Sequence, residues 1–243
     1  MKMITRQIRS IVTGEKYPFL TKNLVELNNV NELKKVFLWK DEPIINDPIF
    51  FEFSHIEDVN ERRIRDAESI GVVMRNVSPK TALEIGTAEG HGTALMAENA
   101  PNSHIYTINI PPEEIESGEG GIFTTVAFER EKIGSYYRSR GIKNISQIFA
   151  NTASWEPDIG IIDVVFIDGC HDSDFVYNDT IKVLKKMKSG SFILWHDFNI
   201  DLANKFDWIH SVCLGVEWLY QDKIIDGPIY QIKDSWLGIY CVK

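Results

Sequence analysis

Five short apolar runs alternate along this chain with stretches whose apolar residues recur at helical spacing. The runs lie in "TALEIG" (81–86), "HIYTINI" (104–110), Ile145–Phe149, 161–167 ending in "VVFI", and "SFILWHD" (191–197). Each has strand length, and each intervening stretch is long enough for the crossover that parallel strands need. Such crossovers wind right-handed and leave helices on both faces of the sheet. The alternation therefore predicts an α/β, doubly wound, mostly parallel sheet. Two further runs, in "GPIYQIKDSWLGIYCVK", are joined at 233–235, which is too short for a crossover. They predict a C-terminal antiparallel hairpin and bring the sheet to seven strands.

Residues 1–57 fit this pattern poorly and are expected to form an N-terminal extension or lid, with a short helix within 24–38 and breaks at Pro43 and Pro48. The main domain is expected over 58–243. It opens with an amphipathic helix over 59–77 that Pro79 ends, and further helices are expected from the first glycine turn to Pro101, over 128–140 and over 175–187. The stretch 111–126 is rich in Gly, Pro and Glu and reads as a long functional loop.

Charge and cysteine usage exclude several classes of partner. A formal net charge of −9, with no stripe of Lys and Arg interleaved with aromatics, repels a phosphate backbone, so nucleic acid is not an expected partner. Cys170, Cys213 and Cys241 are odd in number and lack a CxxC spacing, which argues against a disulfide framework or a zinc site and for reduced thiols in a cytoplasm. No segment has the uninterrupted apolar length of a signal peptide or a membrane span. Association into a homo-oligomer is compatible with the sequence.

Ligands of an open doubly wound sheet bind beyond the carboxyl ends of its strands. Four predicted strands end there in polar groups: Glu84 and Gly86, then Asn109, then Asp168 to Asp172, then His196 and Asp197. The first turn, with Gly86, Gly90 and Gly92, is G-x-x-x-G-x-G and not the G-x-G-x-x-G of dinucleotide sites. Ordinary turn chemistry accounts for its glycines as well as close approach of a ligand does.

Taken in order, "ALEIGTAEGHGT", "IYTINIPPEE", "VVFIDGCHDSDFVYNDTIKVLKKMKSGSFILWHDF" and the terminal hairpin resemble a class I S-adenosylmethionine-dependent methyltransferase. The D-G-x-H and H-D strand ends are similar to those of metal-dependent O-methyltransferases of sugars and small hydroxylated metabolites. The resemblance spans about residues 60–243 and implies a Rossmann-like fold, S-adenosylmethionine as methyl donor and a small-molecule acceptor.

Carried over to this chain, the resemblance implies cofactor contacts from Glu84, Gly86, Thr87, Ala88, Gly90, Asn109, Asn151, Thr152 and Asp168. It implies that Asp168 and Asp197 ligate Mg²⁺ or another divalent cation, as two converging carboxylates suit. His171 matches a general base, and Asp168 belongs with it among the catalytic residues. His196 is a candidate third metal ligand, unless strand alternation turns it away from the crevice. Three positions depart from the pattern: Asn109 and Asn151 stand where relatives commonly carry acids, and Ser173 where tyrosine is frequent. The two Asn replacements keep open a degenerate fold that serves as a binding or assembly module. A different enzyme on the same fold is a further alternative.

Overall fold

The computed structural model of the chain describes residues 16–52, 62–116 and 127–243. Its strands are β1 (Leu24–Leu27), β2 (Thr81–Ile85), β3 (His104–Asn109), β4 (Ile145–Phe149), β5 (Val164–Ile167), β6 (Phe192–Trp195), β7 (Ile229–Ile232) and β8 (Gly238–Cys241). They form one sheet in the order β1-β7-β8-β6-β5-β2-β3-β4. Every pairing is parallel except those of β8 with β6 and β7, so the doubly wound sheet and its terminal hairpin are both present.

The sheet has eight strands where seven were expected. The additional one, β1, comes from a stretch expected to begin a helix, and a capping arrangement explains the difference. Asn29 accepts the backbone N–H groups of Asn31 and Glu32 at 3.0 and 3.3 Å, and the Glu32 carboxylate accepts the N–H of Asn28 at 2.8 Å. This reciprocal cap starts helix α2 (Val30–Phe37) and frees Leu24–Leu27 to pair with β7.

The other helices are α1 (Pro18–Asn23), α3 (Arg62–Val77), α4 (His91–Asn99), α5 (Pro112–Glu116), α6 (Ser135–Ser139), α7 (Ser173–Leu184) and α8 (Asp207–Gln221). Leu20 of α1, Val176 and Val183 of α7, and Val212, Val216 and Leu219 of α8 form the core on one face of the sheet. Leu33 of α2, Ala67 and Val73 of α3, and Leu95 and Met96 of α4 form it on the other. Covering both faces explains why the strands read as continuous apolar runs.

Two helices differ from expectation. The helix expected over 128–140 shrinks to α6, because Gly134 takes φ +72° and breaks the run. Helix α8 was not anticipated, although Ile209, Val212, Cys213, Val216 and Leu219 lie buried at helical spacing. Of the expected long loop, 112–116 is helical and 117–126 lies outside the described residues, as do 1–15 and 53–61. No helix among the described residues is long and apolar enough to cross a membrane.

Candidate active site at the carboxyl edge of the sheet

Because β2, β3, β5 and β6 run parallel, their carboxyl ends open on one rim. From β2 the chain proceeds to β3 and β4 on one side and to β5 and β6 on the other. This reversal is the switch point at which such sheets part to admit a ligand. A cavity of about 310 Å³ lies there, lined by Gly86, Ala88, Asn109, Asn151, Thr152 and Asp168, and by His171, His196 and Asp197. A second cleft of about 280 Å³ shares Gly86, Ala88, Phe128, Asp168 and His196 with it and adds Glu84, Thr87 and Gly90. The expected site residues are thus distributed over two adjoining spaces.

The glycine turn is held by local packing. Gly86 has φ +104°, and a Cβ there would meet the Asp168 carbonyl oxygen at 1.9 Å. Gly90 has φ +91°, and its Cβ would meet the Tyr137 ring at 2.6 Å. Both turn chemistry and close approach of another chain segment therefore require glycine at these positions. Below the turn, Glu84 is only 1% exposed and accepts the hydroxyls of Thr93 and Thr107. Burial outweighs those bonds and raises its pKa to about 8. Thr87 lies beside it, hydrogen-bonded to the Thr107 hydroxyl at 2.7 Å and to the Gln147 amide at 2.9 Å.

The amides of Asn109 and Asn151 are already engaged. Asn109 accepts the Ala88 N–H at 3.1 Å and donates to the Ile110 carbonyl at 3.0 Å. Asn151 accepts the Ala153 N–H at 3.0 Å, which shapes the turn that carries Thr152. That turn is clamped from α7. The buried Lys182 ammonium donates to the carbonyls of Thr152, Ala153 and Trp155 at 2.8, 3.0 and 2.7 Å, and the Thr152 hydroxyl donates to Asp179 at 3.2 Å. Burial raises the Asp179 pKa to about 7 against these donors. Sequence reasoning missed Asp179 and Lys182; the available signal was two charged residues three apart on a helix face that packs inward.

The densest chemistry lies where β5 and β6 end. His171 Nε2 stands 3.0 Å from Asp197 Oδ2 and 4.0 Å from Asp168 Oδ1, while His196 Nδ1 lies 3.1 Å from Asp168 Oδ1 and 3.2 Å from Asp197 Oδ2. His196 lines both spaces. The extended run stops at Trp195 and Asp197 takes φ +53°, so strand alternation does not carry over to His196 and both side chains share the crevice. Behind them, Asp66 of α3 faces His196 Nε2 at 3.5 Å and accepts the Trp236 N–H at 2.7 Å, and Trp208 donates its indole N–H to Asp197 at 3.2 Å. Asp66 was not among the expected residues.

Burial alone would lower the His171 pKa, but the carboxylates of Asp168 and Asp197 outweigh it and hold it at about 9. The same balance puts His196 well above its ordinary value. Burial raises Asp168 and Asp197, yet His196 and His171 outweigh it and keep both below the usual carboxylate range. The mutual attraction in this cluster favours the charged form of both carboxyls and both imidazoles. Asp168, His171 and Asp197 each offer a ligand atom within 4.8 Å of the others, and His171 Nδ1 is buried without a hydrogen-bond partner. Hard carboxylate oxygens with one imidazole suit a small divalent cation, so these residues fit one.

Residues 83–198 match the family model for a methyltransferase domain. The match begins inside β2 and ends one residue past Asp197, so it contains every residue expected at the site. No curated protein sequence matches the chain. Among solved structures, the fold is similar to the methyltransferase PaMTH1 of Podospora anserina, solved with SAH bound. That likeness has a TM-score of 0.56 at 15% identity over 88% of this chain and 95% of that one. It is also similar to the O-methyltransferase NovP, with a TM-score of 0.53 at 14% identity over 73% and 77% of the two chains. Cofactor-bound Rv0187 from MTB covers 97% of this chain and 93% of its own at a TM-score of 0.50 and 14% identity. At such identities the likeness is one of fold.

Proposed function

We propose that the protein transfers the methyl group of S-adenosylmethionine to a hydroxyl of a small, for instance glycosidic, acceptor with the help of a divalent cation such as Mg²⁺. One observation carries this reading. Inside the segment that matches a methyltransferase domain, four strand ends gather a glycine turn, Asn109 and the Asp168–His171–Asp197 cluster around two adjoining spaces. On this reading Gly86, Thr87, Ala88 and Gly90 receive the methionine end, with Glu84 near its ammonium. Asn109 faces the ribose, and Asn151 with Thr152 faces the adenine.

Asp168 and Asp197 would hold the cation, with His196 Nδ1 as the third donor. When bound, the cation supplies a Lewis acid that lowers the pKa of an acceptor hydroxyl. His171 Nε2, 3.0 Å from Asp197, would be the neighbouring base that takes the hydroxyl proton. The acceptor oxygen then forms its bond to the methyl carbon as the sulfur–methyl bond breaks. S-adenosylhomocysteine leaves as a neutral thioether, and the proton rests on His171. The spacing of Asp168, His171 and Asp197 also favours a second assignment, with His171 as third ligand. The acidic chain and its free cysteines fit a cytoplasmic enzyme.

Tritium from methyl-labelled S-adenosylmethionine, followed into a panel of glycosides and phenols with Mg²⁺ or with chelator, tests the proposal. Transfer that chelation abolishes supports it. Transfer that chelation leaves untouched removes the cation. Saturable cofactor binding without transfer to any hydroxyl favours the binding module.

A further inference from the structure

Arg63, Asp66 and Ile70 stand at i, i+3 and i+7 on α3, on one stripe of the helix, and all three line the second cleft. The acids around that cleft are engaged. Asp66 accepts the Trp236 N–H and faces His196, Glu84 accepts two threonine hydroxyls, Asp168 faces His196, and Glu89 lies 3.9 Å from His91 Nε2. Arg63 has no ion pair or hydrogen bond among the described residues, although Arg65, two positions on, is bridged to Glu68 at 2.7 Å. A guanidinium left without a counter-ion at the wall of a cleft, in a chain of net charge −9, calls for an anion brought by the ligand.

The two spaces meet at Gly86 and Ala88, and Asp168 and His196 lie in both. The side with Asn109, Asn151 and Thr152 offers hydrogen-bonding groups for a nucleoside, whereas the other side is lined by the buried Glu84 and by Arg63, whose guanidinium has no partner among the described residues. S-adenosylmethionine has the matching polarity, with a nucleoside at one end and a zwitterionic amino acid at the other.

Resting on the cofactor reading above, we infer that Arg63 binds the α-carboxylate of S-adenosylmethionine and that the second cleft receives its amino-acid end. Residue 63 lies outside the segment 83–198 that matches the methyltransferase domain, so α3 would complete the cofactor site from beyond that segment.

Calorimetric titration with two probes separates this from other roles of Arg63. S-adenosylhomocysteine carries the amino-acid end, and 5′-methylthioadenosine lacks it. Arg63→Met is expected to raise the Kd for S-adenosylhomocysteine about tenfold or more, the scale of a lost charge-assisted pair, and to leave that for 5′-methylthioadenosine within about twofold. Arg63→Lys, which keeps the charge but not the fork, should recover part of the loss. Melting temperatures of the variants check that the fold is retained. Undiminished S-adenosylhomocysteine binding by Arg63→Met overturns the inference, and so does an equal loss for both probes. A native protein that binds neither probe removes the cofactor reading itself, and the inference with it.

Discussion

His171 faces two demands that a single imidazole nitrogen cannot meet together, since Nε2 cannot ligate a cation and accept the acceptor's proton in the same step. If it is the base, His171→Ala lowers kcat by about a hundredfold or more and leaves Mn²⁺ affinity unchanged. If it is a ligand, Mn²⁺ affinity falls instead, which a Mn²⁺ titration of the variant reads directly. Asn109 offers a second test. Its carbonyl already accepts the Ala88 N–H, and its amide already serves Ile110. Asn109→Asp gains a charge-assisted acceptor for ribose hydroxyls and loses the bond to Ile110. We therefore expect S-adenosylhomocysteine to bind about fivefold tighter to the variant, and weaker binding by titration would contradict a ribose at this position. Asp168, His171, His196 and Asp197 were legible because strand ends announce where a doubly wound sheet puts its chemistry. Asp66, Asp179 and Lys182 were not, because a charged residue on a helix reads as a solvated face until packing buries it.

Helix α7 shows how a regular element positions an irregular one. Lys182 donates to three carbonyls of the 152–155 turn, and Asp179 takes the Thr152 hydroxyl. The arrangement buries a carboxyl whose pKa rises from 3.8 to about 7. A carboxyl that holds its proton more tightly when folded contributes stability below its unfolded pKa, and loses that contribution as pH rises from about 4 through about 7. Asp179→Asn does not titrate. The melting temperature of the variant should gain on the native protein between pH 5 and pH 8, and a difference independent of pH would show that Asp179 is not protonated when folded. The same balance of local and tertiary signals explains what was legible among the elements. The run Ile145–Phe149 was read at its observed bounds because its apolar ends lie between turn residues, Gly141 and Asn144 before it and Asn151 after it. Strand β1 was hidden by helix-compatible residues that only the Asn29 cap separates from α2. Helix α8 followed directly on the most distinctive motif, and its periodicity was present but unused.

Over the whole chain, the candidate site depends on parts distant in sequence. Asp66 of α3 joins His196 after β6 to the backbone of Trp236 before β8, so α3, the segment 83–198 and the terminal hairpin meet behind Asp168 and Asp197. The doubly wound sheet was legible because it follows from alternation alone, whereas this three-way junction depends on tertiary packing that no single segment encodes. As proposed, the two adjoining spaces together bind the methyl donor and hold a divalent cation beside it. Titrating S-adenosylhomocysteine and Mn²⁺ separately into native protein and Asp197→Asn tests it most directly. The expected result is one S-adenosylhomocysteine per native chain, one Mn²⁺ whose binding Asp197→Asn abolishes, and S-adenosylhomocysteine binding that survives the substitution. Absence of S-adenosylhomocysteine binding by the native protein in the presence of saturating Mn²⁺ would contradict it.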